Sequence, residues 1–408
     1  SDAEVLLKAY AAYGPEMVRQ LDGVFAIAIQ DGEDLFLARD PIGIKPLYTA
    51  MVNGRVYFAS EIKALMPFSK NVTEFPPGTT WHSRYGFREY YPLEKLKQHR
   101  TATHPEPGLE EYRDIYQNLA AAVNKRMSAD EGAPVGISLS GGLDSSIIVA
   151  LAREGRDRLD TFVVGMEGGE DLPASQQVSE YLDTRHHVYK YTFEDMLAIL
   201  PEVIYYLESY DAALVRSAIP NYFLSKLASD HVKVILSGEG ADELFAGYEY
   251  LYAIEDPEQL HNELWAMVSV MHNTNLQRTD RMTMAHSIEG RVPFLDQQMI
   301  ELAFRMPPQW KLRRNDRAEK FLLRRTFADL LPESIAKRPK QKFSHGAGSG
   351  NLLAEHAHRT ISDEEFQRER LAANGVSLQS KEELLYYRIF RSYFGDRIDP
   401  EVIGRTRS

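Results

Sequence analysis

A loop rich in glycine and serine follows one of the apolar segments of this chain. It reads Ser140-Gly141-Gly142-Leu143-Asp144-Ser145-Ser146, between a strand predicted over 135–139 and a helix predicted over 146–153. Adjacent glycines let the backbone approach an anion closely, and the free amides of a helix N-terminus point at it. The serine hydroxyls add hydrogen bonds, and Asp144 can hold the Mg²⁺ that accompanies phosphates. The loop predicts a phosphate site, but it lacks the lysine of a Walker A loop.

A second loop repeats this arrangement about a hundred residues later. Ser237-Gly238-Glu239-Gly240-Ala241-Asp242-Glu243 follows the apolar run over 232–236. Three acids at one strand end are costly unless they serve a cation or a proton transfer. The alternative is a solvated acidic helix start, because acids favour that position anyway. Since parallel strands end at one edge of a sheet, we expect both loops beside the same nucleotide.

The predicted secondary structure around these loops differs from one part of the chain to the next. Up to residue 95 the pattern predicts a helix over 3–13, with Asp2 as its N-cap, and then short strands joined by turns. A polar linker follows, and then helices alternate with apolar strands, which predicts a doubly wound parallel sheet. From residue 251 the pattern is mostly helical. We therefore predict an α/β protein with this division: a front domain over 1–95, a linker over 96–109 and a second domain over 110–408.

Composition narrows the possible partners. The 408 residues are 44% hydrophobic and 26% charged, as in a globular protein, with a net charge of −12. That charge disfavours nucleic acid or an anionic membrane as a main partner. The chain has no cysteine, which excludes disulfides, thiolate-bound zinc and a thiol nucleophile in these residues. No run reaches the ~18 apolar residues of a membrane span, so we expect a cytoplasmic protein.

Four motifs together resemble the glutamine-hydrolysing asparagine synthetases. They occur in that family's order and spacing: 139–146, 237–243, Arg291-Val-Pro-Phe-Leu-Asp296 and Arg338-Pro-Lys340. The resemblance covers essentially the whole chain. It implies a class II glutaminase sandwich, of the N-terminal-nucleophile fold, followed by an ATP-pyrophosphatase domain that cleaves ATP between its α- and β-phosphates.

The resemblance also implies roles for individual residues. Glu239 would act in forming and consuming an acyl-adenylate, and Lys340 would stabilise charge at the α-phosphate. Asp144 and Asp242 would hold Mg²⁺, while Arg216 and Arg278 are candidate anion contacts or else ordinary surface arginines. The residues implied to bind ATP are Ser138, Leu139, Ser140, Gly141, Gly142, Asp144, Ser145, Ser146, Val164, Ser237 and Gly238.

The chain departs from the family pattern in three places. Asn275 aligns where some members carry an acid, and His345 replaces an acid after Lys340, so the carboxylate substrate stays open. The front segment resembles only the second half of a glutaminase domain, without the nucleophilic cysteine. Of the glutamine site only Asp2 matches, at the contact to the α-amine. We expect that the natural protein has a longer front end and that these residues alone use free ammonia.

The resemblance implies an amide-forming ligase with ATP, Mg²⁺, aspartate and ammonia or glutamine as small-molecule partners, and a possible homodimer. One alternative is a relative that adenylates another carboxylate, such as a different amidotransferase or a lactam-forming synthetase, in which Tyr248 could assist a base. Another is a nucleotide-binding scaffold without activity. Four charged groups in register, Asp144, Glu239, Asp242 and Lys340, argue against that scaffold.

Overall fold

The front of the chain folds into two antiparallel sheets. The computed structural model describes residues 2–98, 106–128, 132–313, 318–340, 343–371, 375–396 and 398–406. The elements of the front part are α1 (Asp2–Tyr13), β1 (Ala26–Asp31), β2 (Asp34–Arg39), β3 (Tyr48–Val52), β4 (Arg55–Ala59), α2 (Ile62–Leu65), β5 (Val72–Glu74), β6 (Thr79–His82) and β7 (Gly86–Glu89). The sheets have the strand orders β1-β2-β6-β7 and β4-β3-β5. Turns such as Asn53-Gly54, both with positive φ, join the hairpins and confirm the prediction of short strands there.

The second part begins a pattern of alternating helices and strands. Its first elements are α3 (Leu109–Met127), β8 (Val135–Ser138), α4 (Leu143–Arg153), β9 (Asp160–Gly165), α5 (Asp171–Leu182), β10 (Arg185–Lys190), α6 (Phe193–Leu207), α7 (Ala212–Ser229), β11 (Val234–Leu236), α8 (Ala241–Phe245), α9 (Pro257–Ser269), α10 (Asn275–Met284) and β12 (Glu289–Arg291). The remaining helices are α11 (Gln297–Arg305), α12 (Pro308–Lys311), α13 (Phe321–Thr326), α14 (Glu333–Ala336), α15 (Phe343–Gly346), α16 (Leu352–Thr360), α17 (Asp363–Glu369) and α18 (Lys381–Phe394).

The five strands β10-β9-β8-β11-β12 form one parallel sheet with helices on both faces. Side chains alternate between these faces, as strand geometry requires. Val234 and Leu236 pack with α3, α4 and α8, whereas Ile235 packs with α6 and α7 on the other side. The doubly wound parallel sheet predicted from the sequence is thus confirmed. No described helix is both long enough and apolar enough to cross a membrane.

The helix after the glycine loop begins earlier than the sequence indicated. We predicted its start near Ser146, but α4 begins at Leu143, with Gly142 in extended conformation as its N-cap. Asp144 and Ser145 are therefore in the first helical turn. Asp2 likewise is the first residue of α1 that the structure describes as helical. The predicted linker over 96–109 lies partly outside the described residues, and its first three residues belong to a 3₁₀ helix, Leu93–Gln98.

A buried carboxylate joins the front part of the chain to the second part. Glu208, which is fully buried at the end of α6, accepts hydrogen bonds from the backbone amides of Ile62 (2.9 Å) and Lys63 (2.7 Å) at the start of α2. Arg281 of α10 donates to the same carboxylate at 3.0 Å. Burying a charge is tolerated only when it is paired in this way. The two parts therefore share one packed interface, although the domain boundaries given above stay a prediction.

Candidate active site

The glycine loop of residues 140–146 leaves the amides at the start of α4 without a side-chain cap. Gly142 has no side chain to accept from them, and its own amide donates to Ser140 Oγ at 3.2 Å. The hydroxyls of Ser140 and Ser145 lie 3.1 Å apart, and Ser145 also donates to the Gly142 carbonyl. A helix N-terminus of this kind binds anions through free amides and the helix dipole.

Two aspartates meet beside that loop, one from each of two neighbouring strands. Asp144 follows β8 and Asp242 follows β11, and the ammonium of Lys320 lies 2.5 Å from the first carboxylate and 2.6 Å from the second. Lys340 adds a second cation at 2.6 Å from Asp242 and 3.9 Å from Asp144. Burial opposes ionisation of Asp242, but the two lysines overcome it and lower its pKa to about 2. Burial raises the pKa of Asp144, which lies farther from Lys340.

A second polar cluster faces the same cavity from α8 and α10. Tyr248 donates to Glu243 Oε1 at 2.5 Å, and the amide nitrogen of Asn275 donates to Glu243 at 2.8 Å and to Glu239 at 3.0 Å. Arg278 forms an ion pair with Glu239 and donates to Ser217 at 3.1 Å. Burial and the charges of Asp242 and Glu239 raise the pKa of Glu243 to about 7.

The segment around Lys340 borders the glycine-loop side of the cavity. Arg338 donates to Asp171 at 2.9 Å and to the Ser140 carbonyl at 3.3 Å, so it links the glycine loop to α5. The carbonyl of Ala347 accepts from the Met166 amide at 2.8 Å. Burial raises the pKa of Asp171 to about 6 although Arg338 opposes that shift. Arg338 and Asp171 line one cavity together with the glycine loop, the two aspartates and the second polar cluster. Its volume is about 1030 Å³, large enough for a nucleotide together with a second substrate.

Comparison with known proteins places this geometry in a family. The profile of the asparagine synthase family matches residues 114–260 and 252–402, and a glutamine amidotransferase domain profile matches residues 1–84. The chain belongs to the asparagine synthase family. It is 36% identical to asparagine synthetase [glutamine-hydrolyzing] 2 of Arabidopsis thaliana over 97% of this chain and 71% of that protein. Asparagine synthetase B of Escherichia coli (strain K12) is 36% identical over 97% of this chain and 74% of its own.

A third relative is similar to this asparagine synthase family member over the same share of the chain. The probable asparagine synthetase of Schizosaccharomyces pombe is 34% identical over 97% of this chain and 76% of its own length. The similarity therefore extends over the front sheets as well as the parallel-sheet part. The membership that the four motifs indicated is confirmed.

Most of the predicted site residues of this asparagine synthase chain face the one cavity. These are Ser138, Ser140, Gly142, Asp144, Ser145, Arg216, Ser237, Gly238, Glu239, Asp242, Arg278 and Lys340. Four others do not line it: Leu139, Gly141, Ser146 and Val164. Three of those four, Leu139, Ser146 and Val164, are almost fully buried in the packing around the sheet. Asp2 lies apart from the cavity, exposed on α1 of the front sheets.

The two arginines proposed as anion contacts differ in their pairing. Arg278 reaches the cavity in its ion pair with Glu239. Arg216 pairs instead with Glu382 of α18 at 3.2 Å and donates to the Ala212 carbonyl at 3.1 Å. Arg216 thus ties the C-terminal helix to α7 while it borders the cavity, and its guanidinium is already committed to protein partners.

Lys320 is the residue that sequence reasoning missed. It is nearly fully buried and precedes α13 with a φ of +52°, a left-handed conformation that a lysine rarely adopts. Strain of this kind is retained where the surroundings impose it, often at functional sites. Its sequence context, Glu319-Lys320-Phe321, holds no motif that would have singled it out. The sequence pattern drew attention to Glu243 and Asn275, but it did not predict the hydrogen bond between them.

Gly141 supports the loop without lining the cavity. Its φ is +71°, and an added Cβ would lie 2.4 Å from backbone atoms of Ala174 and Ser175 in α5. We expect Gly141→Ala to displace the loop and to weaken nucleotide binding at least ~10-fold, since both strain and overlap oppose the native position. Isothermal titration with ATP measures this. Gly155→Ala is the matched control, because Gly155 also has positive φ but open space around it. Equal affinities of the two variants would contradict the expectation.

Proposed function

We propose that this chain is an ATP-dependent ligase that makes an amide from a carboxylate, with aspartate as the acceptor. A carboxylate oxygen of aspartate attacks the α-phosphorus of ATP, the bond to the bridging oxygen of the β-phosphate breaks, and pyrophosphate leaves. Ammonia then attacks the acyl carbon of β-aspartyl-AMP. The new C–N bond forms, the C–O bond to AMP breaks, a proton is released, and the products are asparagine and AMP.

The observation that carries this proposal is the meeting of the glycine loop with two aspartates and two lysines in one cavity. The loop amides and serines can bind the leaving pyrophosphate. Lys340 lies at the cavity with its side chain about one-third exposed, so its ammonium can reach a bound phosphate and stabilise the charge that develops there. Glu239, held by Arg278 and Asn275, faces the same space from the opposite loop.

The aspartates also fit the Mg²⁺ that ATP brings. Asp144 Oδ1 is buried and has no hydrogen-bond partner among the described residues, although its other oxygen pairs with Lys320. A free buried carboxylate oxygen suits a hard cation with oxygen ligands. We infer that Asp144 and Asp242 would hold the ion, which would neutralise phosphate charge when bound.

The test is to supply ATP, Mg²⁺ and ammonium with and without aspartate and to quantify nucleotides and amino acids. Ammonium is the nitrogen source because these residues contain no cysteine for glutamine hydrolysis. We expect AMP and pyrophosphate only with aspartate, in equal amounts with asparagine. If AMP appeared only with another carboxylate, that carboxylate would be the acceptor and the adenylating mechanism would stay the same. ADP in place of AMP would overturn the proposed function.

A further inference from the structure

A short segment far along the chain, residues 403–406, reaches the cavity beside the start of α7. Thr406 lines the cavity together with residues of the first turns of that helix. Val402 and Ile403 are buried and pack with α6, α7 and α18, which fixes the segment to the second part of the molecule. The segment lies outside the four sequence motifs, and the nucleotide chemistry described above gives it no task.

Thr406 shares the carboxylate that caps α7. Its hydroxyl lies 2.9 Å from each oxygen of Asp211, and its backbone amide donates to the same carboxylate at 3.1 Å. Asp211 is the N-cap of α7 and accepts from the Leu214 amide at 2.8 Å. Hydrogen bonds to an ionised acceptor are stronger than those between neutral groups. The position of the first turn of α7 is therefore coupled to Thr406.

Gly404 holds the segment against the turn that leads into α10. An added Cβ at this glycine would overlap the carbonyl oxygen of Asn273, so the two backbones approach as closely as only glycine allows. The Gly404 carbonyl also accepts from the buried hydroxyl of Ser209 at 3.3 Å. Asn273 comes two residues before Asn275, which donates to Glu239 at 3.0 Å. The segment thus touches the beginnings of both α7 and α10.

Arg405 anchors the segment to a third helix. It pairs with Glu383 in the first turn of α18 at 2.8 Å, and its guanidinium lies 5.2 Å from the ring centre of Tyr210. The Glu383 side chain is only 5% exposed, and a carboxylate so buried needs a partner of this kind. With Arg405 held by α18, its two neighbours in sequence are fixed against the elements that border the cavity.

The walls formed by α7 and α10 must stay in register for the cavity to bind a second substrate. Arg278 of α10 donates to Ser217 of α7 at 3.1 Å and forms an ion pair with Glu239. The glycine loop and the two lysines meet the charges of the phosphates, which leaves this side of the cavity for the acceptor carboxylate. A misplacement of about 1 Å in such a site can cost a reaction about 10²-fold.

We propose that Thr406 is a positioning residue for the acceptor carboxylate, acting through Asp211 to keep α7 in register with α10. This inference rests on the proposed function, because it concerns the acceptor of that reaction. The groups that contact the acceptor belong to α7 and α10, and Thr406 fixes where the first of these helices begins. Losing the Thr406 hydroxyl should therefore weaken acceptor binding without weakening ATP binding.

Steady-state kinetics of Thr406→Val tests this role, because valine has nearly the same shape and lacks the hydroxyl. We expect the KM for aspartate to rise about 10-fold, with the KM for ATP unchanged. Thr406→Ser restores the hydroxyl and should return the KM for aspartate to near the wild-type value. Thr360→Val is the matched control, since the Thr360 hydroxyl donates to the His356 carbonyl at 2.9 Å on the exposed end of α16. It should leave both KM values unchanged.

Hydrogen exchange without substrates adds a readout that needs no turnover. We expect the Leu214 amide in the first turn of α7 to exchange faster in Thr406→Val than in the wild type or in Thr406→Ser. Unchanged exchange of this amide, or an unchanged KM for aspartate in an active enzyme, would overturn the inference. An equal rise in both KM values would overturn it too, because it would indicate a general loss of structure. Because exchange is measured without substrate, it separates failure of this inference from failure of the proposed function.

Discussion

Replacing Lys340 by methionine should lower the rate of AMP formation by about 10³-fold, or ~4 kcal/mol, while the fold stays intact. Lys340 lies 2.6 Å from Asp242 and borders the cavity with a side chain that is 30% exposed. The carboxylates of Asp242 and Asp144 raise its pKa although burial opposes this, so it stays an ammonium at any working pH. In a site shielded from water, a fixed cation near the α-phosphate is worth far more than in solution.

Lys320→Met should behave differently although Lys320 binds the same two aspartates. Its side chain is 2% exposed, and its removal leaves Asp144 without a close cation. Breaking a buried pair costs about 3–5 kcal/mol, so we expect a clear loss of Tm together with the loss of activity. In Lys340→Met, Asp242 keeps Lys320, and the Tm should change little.

Thermal unfolding together with the nucleotide assay checks both lysine variants. The control is Lys337→Met, because Lys337 is three residues before Lys340 but is exposed and pairs with the equally exposed Glu333. It should match the wild type in both measurements. A Lys340→Met enzyme that retained a tenth or more of the wild-type rate would remove Lys340 from the proposed chemistry.

The proximity of Asp144 and Asp242 could be predicted from the sequence because it follows from the topology of the parallel sheet. Each follows a short apolar strand, and strands separated by helices run parallel, so both loops end at the same edge of the sheet. Strands β8 and β11 are indeed neighbours. The start of α4 was misplaced by three residues, since glycine at an N-cap gives a weaker signal than the polar residues further on.

The pairing of Lys320 could not be predicted in this way. It lies 176 residues from Asp144, on a segment whose position depends on how the C-terminal helices pack. Arg216 shows the opposite problem, because the family resemblance implies an anion contact for it, yet it pairs with Glu382 of α18. A motif indicates that a residue matters without indicating whether it acts in chemistry or in packing.

Replacing Lys311 by methionine should stabilise the protein and change how its stability depends on pH. Lys311, the last residue of α12, is fully buried, and its ammonium nitrogen lies 5.3 Å from the ring centre of Phe304 and 6.0 Å from that of Phe245. The nitrogen has no hydrogen-bond partner within the described part of the chain. Burial alone lowers the pKa of Lys311 from 10.5 to about 7. Charging this lysine therefore opposes folding.

The sign of the pH effect follows from the two protonation states. Between pH 7 and 10.5 the unfolded chain keeps a proton on Lys311 that the folded chain has lost, so this group makes the free energy of unfolding rise with pH. The rise is about 1.4 kcal/mol for each pH unit. Below pH 7 the full cost, roughly 5 kcal/mol, is present. Methionine fills similar space without a charge and removes that cost.

Thermal unfolding of wild type and Lys311→Met at pH 6.5, 8 and 9.5 measures the effect, because the difference between the two proteins cancels the other titrating groups. We expect the variant to melt several degrees higher at pH 6.5 and this advantage to shrink as the pH rises. Lys337→Met, in which an exposed lysine is lost, should show neither change. A constant difference in Tm across this range would mean that Lys311 titrates in the folded protein as it does in the unfolded chain, and that a partner stabilises its charge.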